Sequence, residues 1–174
     1  MQASSEICND TEALNKLKEV SFFKMYAGDE EVMRKIARMC SRKSVKAGTT
    51  IIEEGDSGDE LFIVLKGHID IVKKTLQNEK YTVTTLNAED GGIYVGELAL
   101  LDRDKRSATV TTNTDCDLLV IKRENFIKFG NENPEIGLTI TRAIASQLSA
   151  KIRKSNEDVI TLFSALVEEI ASEE

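Results

Sequence analysis

From Thr49 to Lys122 apolar side chains come in short runs, several alternating with polar ones, and glycines separate many of the runs. Thr49–Glu53, Leu61–Lys66, His68–Lys74, Tyr81–Leu86, Ala108–Thr112 and Leu118–Lys122 read as strands, since a period near two sends one side of a strand to a core and the other to water. Seven of the 10 glycines lie between Gly48 and Gly96, where tight connections need them. Short strands joined by such turns predict an antiparallel roll or barrel.

On both sides the period becomes helical. Asp29 is an N-cap for Glu30–Cys40, in which Val32, Met33, Ile36, Ala37 and Cys40 recur three and four apart. A shorter helix is expected from Thr11 to Val20. Pro134 suits a first helical turn, and no Gly or Pro follows from Leu138 to Glu174, so this stretch predicts one long helix or two nearly continuous ones. At about 1.5 Å per residue it would reach roughly 55 Å, more than one small domain can cover. Ala145, Leu148, Ile152, Ser155, Val159, Leu162 and Leu166 form a heptad-like series that suits a homodimer through this helix. The alternative is a helix that breaks near Ser155–Asp158 and folds back, with Phe163 and Ile170 widening its apolar face. Glu168, Glu169, Glu173 and Glu174 oppose the helix dipole, which predicts fraying of the last turn. The chain thus divides into a helical lead-in at 1–21, a roll at 22–133 and a helical segment at 134–174.

Composition narrows the chemistry. A chain of 174 residues, 41% hydrophobic and 30% charged, is sized for one globular domain with or without an appendage. Its formal charge of −7 disfavours nucleic acid and anionic membrane as partners. The start carries neither a basic head nor an apolar stretch, so a cytoplasmic location is expected. Cys8, Cys40 and Cys116, odd in number and widely spaced, argue for reduced thiols and against a disulfide framework or a zinc site. His68 is the sole histidine. No nucleophile elbow and no matched carboxylate pair occurs, so neither an enzyme, a metal site nor a cofactor is expected.

The informative stretch runs from Gly96 to Val110: Gly-Glu-Leu-Ala-Leu-Leu-Asp-Arg-Asp-Lys-Arg-Ser-Ala-Thr-Val. Gly96 permits close approach of backbone to a ligand, and a single helical turn after it leaves amide donors open for an anion. Arg106 stands nine positions beyond Glu97 and can hold the same phosphate, while Glu97 can accept from a sugar hydroxyl beside it. Acid, arginine and open amides describe a nucleotide site.

This stretch resembles the phosphate-binding cassette of the cyclic nucleotide-binding domain family, the module of the catabolite activator protein, of cyclic-nucleotide-dependent kinase regulatory subunits and of gated channels. Ala47-Gly48, the Glu54–Gly67 run with its Gly-Asp-Ser-Gly turn, and the Phe126–Pro134 approach stand in family order, so the resemblance covers about Phe22 to Ile152. It implies an α+β fold: an antiparallel β-roll, jelly-roll-like, flanked by N-terminal helices and a long C-terminal helix. It also implies a cassette at 96–108 in which Glu97 and the Gly96 backbone bind the ribose 2′-hydroxyl. Arg106 pairs with the phosphate oxygens, and the Ala99 and Ser107 amides complete the cradle, with Leu98 and Ala108 beside them.

The segment between Leu86 and Gly96 is longer than the family's usual connection, and Val95 replaces a common aromatic. Counted from Pro134, the hydroxyl pair that the catabolite activator protein offers to the purine falls on Lys151 and Ile152. Base contacts are therefore expected from Tyr81 and Val83, or from a helix residue such as Phe163. The ligand favoured is cAMP over cGMP, although Ser107 does not choose between them. Gly55, Gly58 and Gly67 read as turn glycines, and Phe22, Phe23 and Tyr26 as packing residues. The expected output is movement of the C-terminal helix against an unidentified effector chain, without direct DNA binding. The competing reading is a ligand-free roll acting as an interaction scaffold, with Glu97 and Arg106 only a surface ion pair.

Overall fold

The computed structural model describes Ile7 and residues 9–75 and 77–172. Cys8 and the terminal Glu173 and Glu174 of the fraying turn lie outside the described residues. Helices α1 (Thr11–Glu19) and α2 (Glu30–Arg38) start at aspartate caps: the Asp10 carboxylate accepts from the amides of Glu12 and Ala13, and that of Asp29 from Val32. Eight strands follow: β1 (Cys40–Val45), β2 (Thr50–Ile52), β3 (Glu60–Lys66), β4 (His68–Lys74), β5 (Lys80–Asn87), β6 (Tyr94–Val95), β7 (Thr109–Thr112) and β8 (Cys116–Lys122). A four-residue helix, α3 (Leu98–Leu101), separates β6 from β7, and α4 (Arg123–Glu132) and α5 (Pro134–Ser172) close the chain.

The strands form two antiparallel four-stranded sheets, ordered β1-β8-β3-β6 and β2-β7-β4-β5. Leu61–Leu65 of β3 and Leu118–Ile121 of β8 are unbroken apolar runs because both faces of each are covered. Leu61, Ile63 and Leu65 of β3, with Leu119 and Ile121 of β8, join Phe22, Phe23, Met33 and Ile36 in a core beneath the helices. The intervening Phe62, Val64, Leu118 and Val120 point the other way and meet Ile52, Ile69, Val95 and Val110 inside the roll. The two cores therefore share two strands as a common wall, which confirms the α+β roll with helices packed on one sheet.

Two elements depart from the sequence expectations, and a third settles an alternative. Strand β1 was hidden because Ser41 to Ser44 are polar and exposed, yet it pairs with β8 along its whole length, from Cys40 opposite Ile121 to Val45 opposite Cys116. Helix α2 accordingly ends at Arg38, since Cys40 already belongs to the sheet. Of the two readings of the last segment, the single long helix is the one found: α5 runs unbroken past Ser155–Asp158 for 39 residues, about 58 Å. Polar side chains in water do not interrupt a helix that carries no Gly or Pro beyond Gly137, so the folded-back alternative fails.

Helix α5 joins the helical core only through its first third. Ile140 and Ile144 are buried and Ile136 and Leu148 are half-buried, whereas every residue from 149 to 171 is exposed. Its crossing with α4 depends on two glycines. A Cβ at Gly137 would lie 2.6 Å from the Gly130 Cα, so the helices meet backbone to backbone.

Candidate functional site

The segment from 94 to 108 is held at both ends. Tyr94 and Val95 pair with Ile63 and Phe62 of β3, and the other end is tied to the turn at 55–57, where Arg106 donates its amide to Asp56 O at 2.8 Å and accepts from Gly55 N at 2.9 Å. Between them lies a cleft of about 530 Å³. Its apolar wall is made by Ile52, Ile71, Leu86 and Val110, one side chain from each strand of the β2-β7-β4-β5 sheet. Gly96, Glu97, Leu98, Ala99, Arg106, Ser107 and Ala108, all anticipated from sequence, line the cassette side.

The Arg106 guanidinium is fixed by main chain. Its Nη2 donates to Glu60 O at 2.7 Å and its Nη1 lies 3.5 Å from Gly96 O. Burial pushes its pKa below the ordinary arginine value, while the carboxylates of Glu60 and Asp59 act in the opposite direction. It stays cationic at neutral pH. Two glycines leave room for it. Gly96 adopts φ +84°, and a Cβ there would approach Nη1 to 2.7 Å and Glu60 O to 2.9 Å. Gly58, expected only to turn the chain, has no positive φ; a Cβ on it would stand 2.5 Å from Arg106 Nε, so it is small in order to admit the guanidinium.

The amides are not equally available. Ala99 N donates to Gly96 O at 3.2 Å within the cassette turn, whereas the Ser107 amide makes no hydrogen bond among the described residues. Glu97 sits across the cleft with its side chain 14% exposed, and its Oε1 accepts from Lys151 Nζ of α5 at 2.5 Å. Glu97 and Arg106 do not pair with each other as a surface ion pair would require: each has other partners. Lys151 lines the cleft together with Lys73 and Lys105, opposite Glu97, Asp102 and Asp104, so the lining carries four cations, Arg106 included, against three carboxylates. In a chain of net charge −7 this is a local reversal.

Tyr81 and Val83 do not reach the site. They are 50% and 51% exposed near the hairpin end of β5, an edge strand bonded only to β4, and the cleft takes Leu86 from the other end of that strand. Phe163 is 66% exposed, 12 residues beyond Lys151 and so about 18 Å farther along α5. Sequence reasoning missed Lys151 as a partner of Glu97, though counting from Pro134 had placed it at the ligand. It also missed the four apolar wall residues, which strand alternation marked as core. A larger hollow of about 850 Å³ opens between the 57–59 turn and α4. Of its two arginines, Arg103 and Arg123, the latter is turned to the Leu101 carbonyl at 3.3 Å.

Comparison with known proteins bears on the whole arrangement. Residues 42–133, just over half of the chain, match the family model described as Cyclic nucleotide-binding domain. The chain is 32% identical over 107 residues to lysophospholipase NTE1 of Candida albicans, covering 61% of this chain and 8% of that protein. It is 30% identical over 116 residues to the cAMP-activated global transcriptional regulator CRP of Haemophilus influenzae, covering 66% and 50%. Its fold matches the catabolite activator protein of Thermus thermophilus with a TM-score of 0.70 at 25% identity, over 82% of this chain and 62% of that one. The chain thus spans half or less of these two curated relatives. Among the described residues no helix is long and apolar enough to cross a membrane. A roll in the family's order, a glycine-framed arginine facing a carboxylate, and a family match across the strands and cassette together show that the chain belongs to the cyclic nucleotide-binding domain family.

Proposed function

We propose that this chain is a regulatory module that binds a cyclic nucleotide, cAMP in preference to cGMP, and passes the event to a second protein through α5. One observation carries the reading: a guanidinium immobilised by two main-chain carbonyls lies in the same cleft as a carboxylate, beside a free amide and opposite an apolar wall. A cyclic nucleotide has a singly charged phosphodiester, a sugar hydroxyl and a flat base, and each finds a counterpart. Arg106 and the Ser107 amide take the phosphate, with Ala99 contributing once its 3.2 Å turn bond lengthens. Glu97 and the Gly96 backbone take the ribose hydroxyl, Leu98 and Ala108 flank the ring, and Ile52, Ile71, Leu86 and Val110 receive the base.

Residues 22–133 act as the binding unit, 96–108 as its cassette and 134–174 as the output segment. The cAMP preference rests on the relative that is named for activation by cAMP. The module binds its ligand without transforming it; any catalysis belongs to other domains, as the 8% coverage of the lysophospholipase suggests. Output through α5 is supported by its exposed apolar series, in which Val159, Leu162, Phe163, Leu166 and Ile170 range from 53% to 71% exposed. A second copy covering this series makes the homodimer.

Calorimetric titration with cAMP, cGMP and AMP tests the reading. Both cyclic nucleotides should bind, cAMP more tightly, and AMP should not. A folded protein that binds none of the three would leave only the scaffold reading standing.

A further inference from the structure

The acid of the cleft does not act alone, and its partner arrives from outside the roll. Lys151 reaches Glu97 Oε1 at 2.5 Å from the point where α5 leaves the roll. One turn earlier Gln147 Oε1 accepts from the Tyr94 hydroxyl at 2.5 Å and from the Ser21 hydroxyl at 3.1 Å. Two successive turns of α5 are therefore fastened to the 94–97 segment that leads into the cassette.

The ion pair answers an electrostatic problem. A half-enclosed carboxylate beside a phosphate position repels the anion that the arginine attracts, and in a partly desolvated cleft that repulsion is weakly screened. Without Lys151 the charged side chains lining the cleft would balance at three cations and three carboxylates. With it the lining is net positive. The contact also occupies only one carboxylate oxygen. A carboxylate offers about four lone-pair positions, so Oε2 stays available to accept from a hydroxyl while Oε1 is anchored.

Building on the proposed nucleotide site, we infer that Lys151 is a positioning residue for sugar recognition: its ammonium neutralises Glu97 and fixes the carboxylate so that Oε2 faces the ribose 2′-hydroxyl. The cation touches the acid rather than the ligand. Its effect must therefore appear in the discrimination between a sugar that carries the hydroxyl and one that lacks it.

The test is titration of the full chain and of Lys151→Met and Lys151→Arg with cAMP and with 2′-deoxy-cAMP. Wild type should favour cAMP. Lys151→Met should narrow that preference by roughly fivefold, the scale of one weakened charge-assisted hydrogen bond, while Lys151→Arg, which keeps the ion pair, restores it. Equal weakening of both ligands by Lys151→Met would show that the lysine supplies only net charge, and unchanged binding would show that it supplies nothing; either overturns the inference and leaves the nucleotide site standing. A wild-type protein that binds neither ligand would overturn the site itself, and this inference with it.

Discussion

Replacing Arg106 by alanine separates binding from folding because the two effects have different sizes. In the free protein the guanidinium donates to Glu60 O at 2.7 Å and lies 3.5 Å from Gly96 O. A hydrogen bond from a charged donor contributes about 1.5–3 kcal/mol net, and the longer contact less. Its removal also relieves the desolvation that lowers the arginine's pKa, so the two changes oppose each other. With the two opposed, the loss of unliganded stability should stay at about 1–2 kcal/mol, within reach of urea denaturation. Binding should suffer more. Charge-assisted hydrogen bonds contribute about 1.5–3 kcal/mol each, so losing even one to the phosphate lowers cAMP affinity at least about tenfold, and losing two can exceed a hundredfold. Calorimetric titration of the variant beside wild type reads the affinity, and the melting curve without ligand reads the fold. Wild-type affinity in a folded variant would refute the role given to Arg106. A large stability loss without ligand would instead make the arginine a structural strut.

Further outcomes follow from the same contacts. Gly137→Ala forces a methyl to within 2.6 Å of the Gly130 backbone and should destabilise the α4–α5 crossing by about 1–3 kcal/mol, measured by urea denaturation. Asp117 has its pKa lowered by the Ser44 hydroxyl and by Arg42; a depressed folded value means that the stabilisation is present above the unfolded carboxylate pKa and is lost as pH falls through the folded one. The melting temperature should therefore fall as pH drops below about 4, and Asp117→Asn should flatten that part of the profile. Val159→Glu with Leu162→Glu changes residues that are 61% and 71% exposed, so the thermal stability of the roll should not move, while sedimentation should shift from dimer to monomer. Paired spin labels, one beyond Lys151 and one on the roll, should change separation on adding cAMP; identical distances would remove α5 as the output.

What the sequence disclosed and what it concealed divide along physical lines. The 96–108 segment was legible because its chemistry is local: a glycine, an acid and an arginine at fixed spacing survive any uncertainty about the rest of the chain. Strands β3 and β8 were legible for a similar reason, since burial on both faces leaves an unbroken apolar run. Strand β1 was not, because pairing with β8 fixes its backbone while Ser41 to Ser44 remain in water. Strand β6, with only two residues, leaves no period to read.

The hardest feature to foresee was the Glu97–Lys151 contact, which spans 54 positions and exists only because α5 runs straight past the cassette. Two sequence signals specify that path. Pro134 begins the helix, and Gly137 lets it cross α4 at backbone distance, so small residues far from the cleft set where a lysine 14 positions later arrives. Where the catabolite activator protein offers a hydroxyl this chain has the cation of Lys151, and the difference changes what the helix is able to sense. A hydroxyl reads a base. If Glu97 takes the ribose as proposed, an ammonium paired with it instead ties the position of the helix to the orientation of that carboxylate, whichever base is attached. On the proposed reading, sugar recognition and helix docking share one ion pair, so Lys151→Met should perturb both and Lys151→Arg neither.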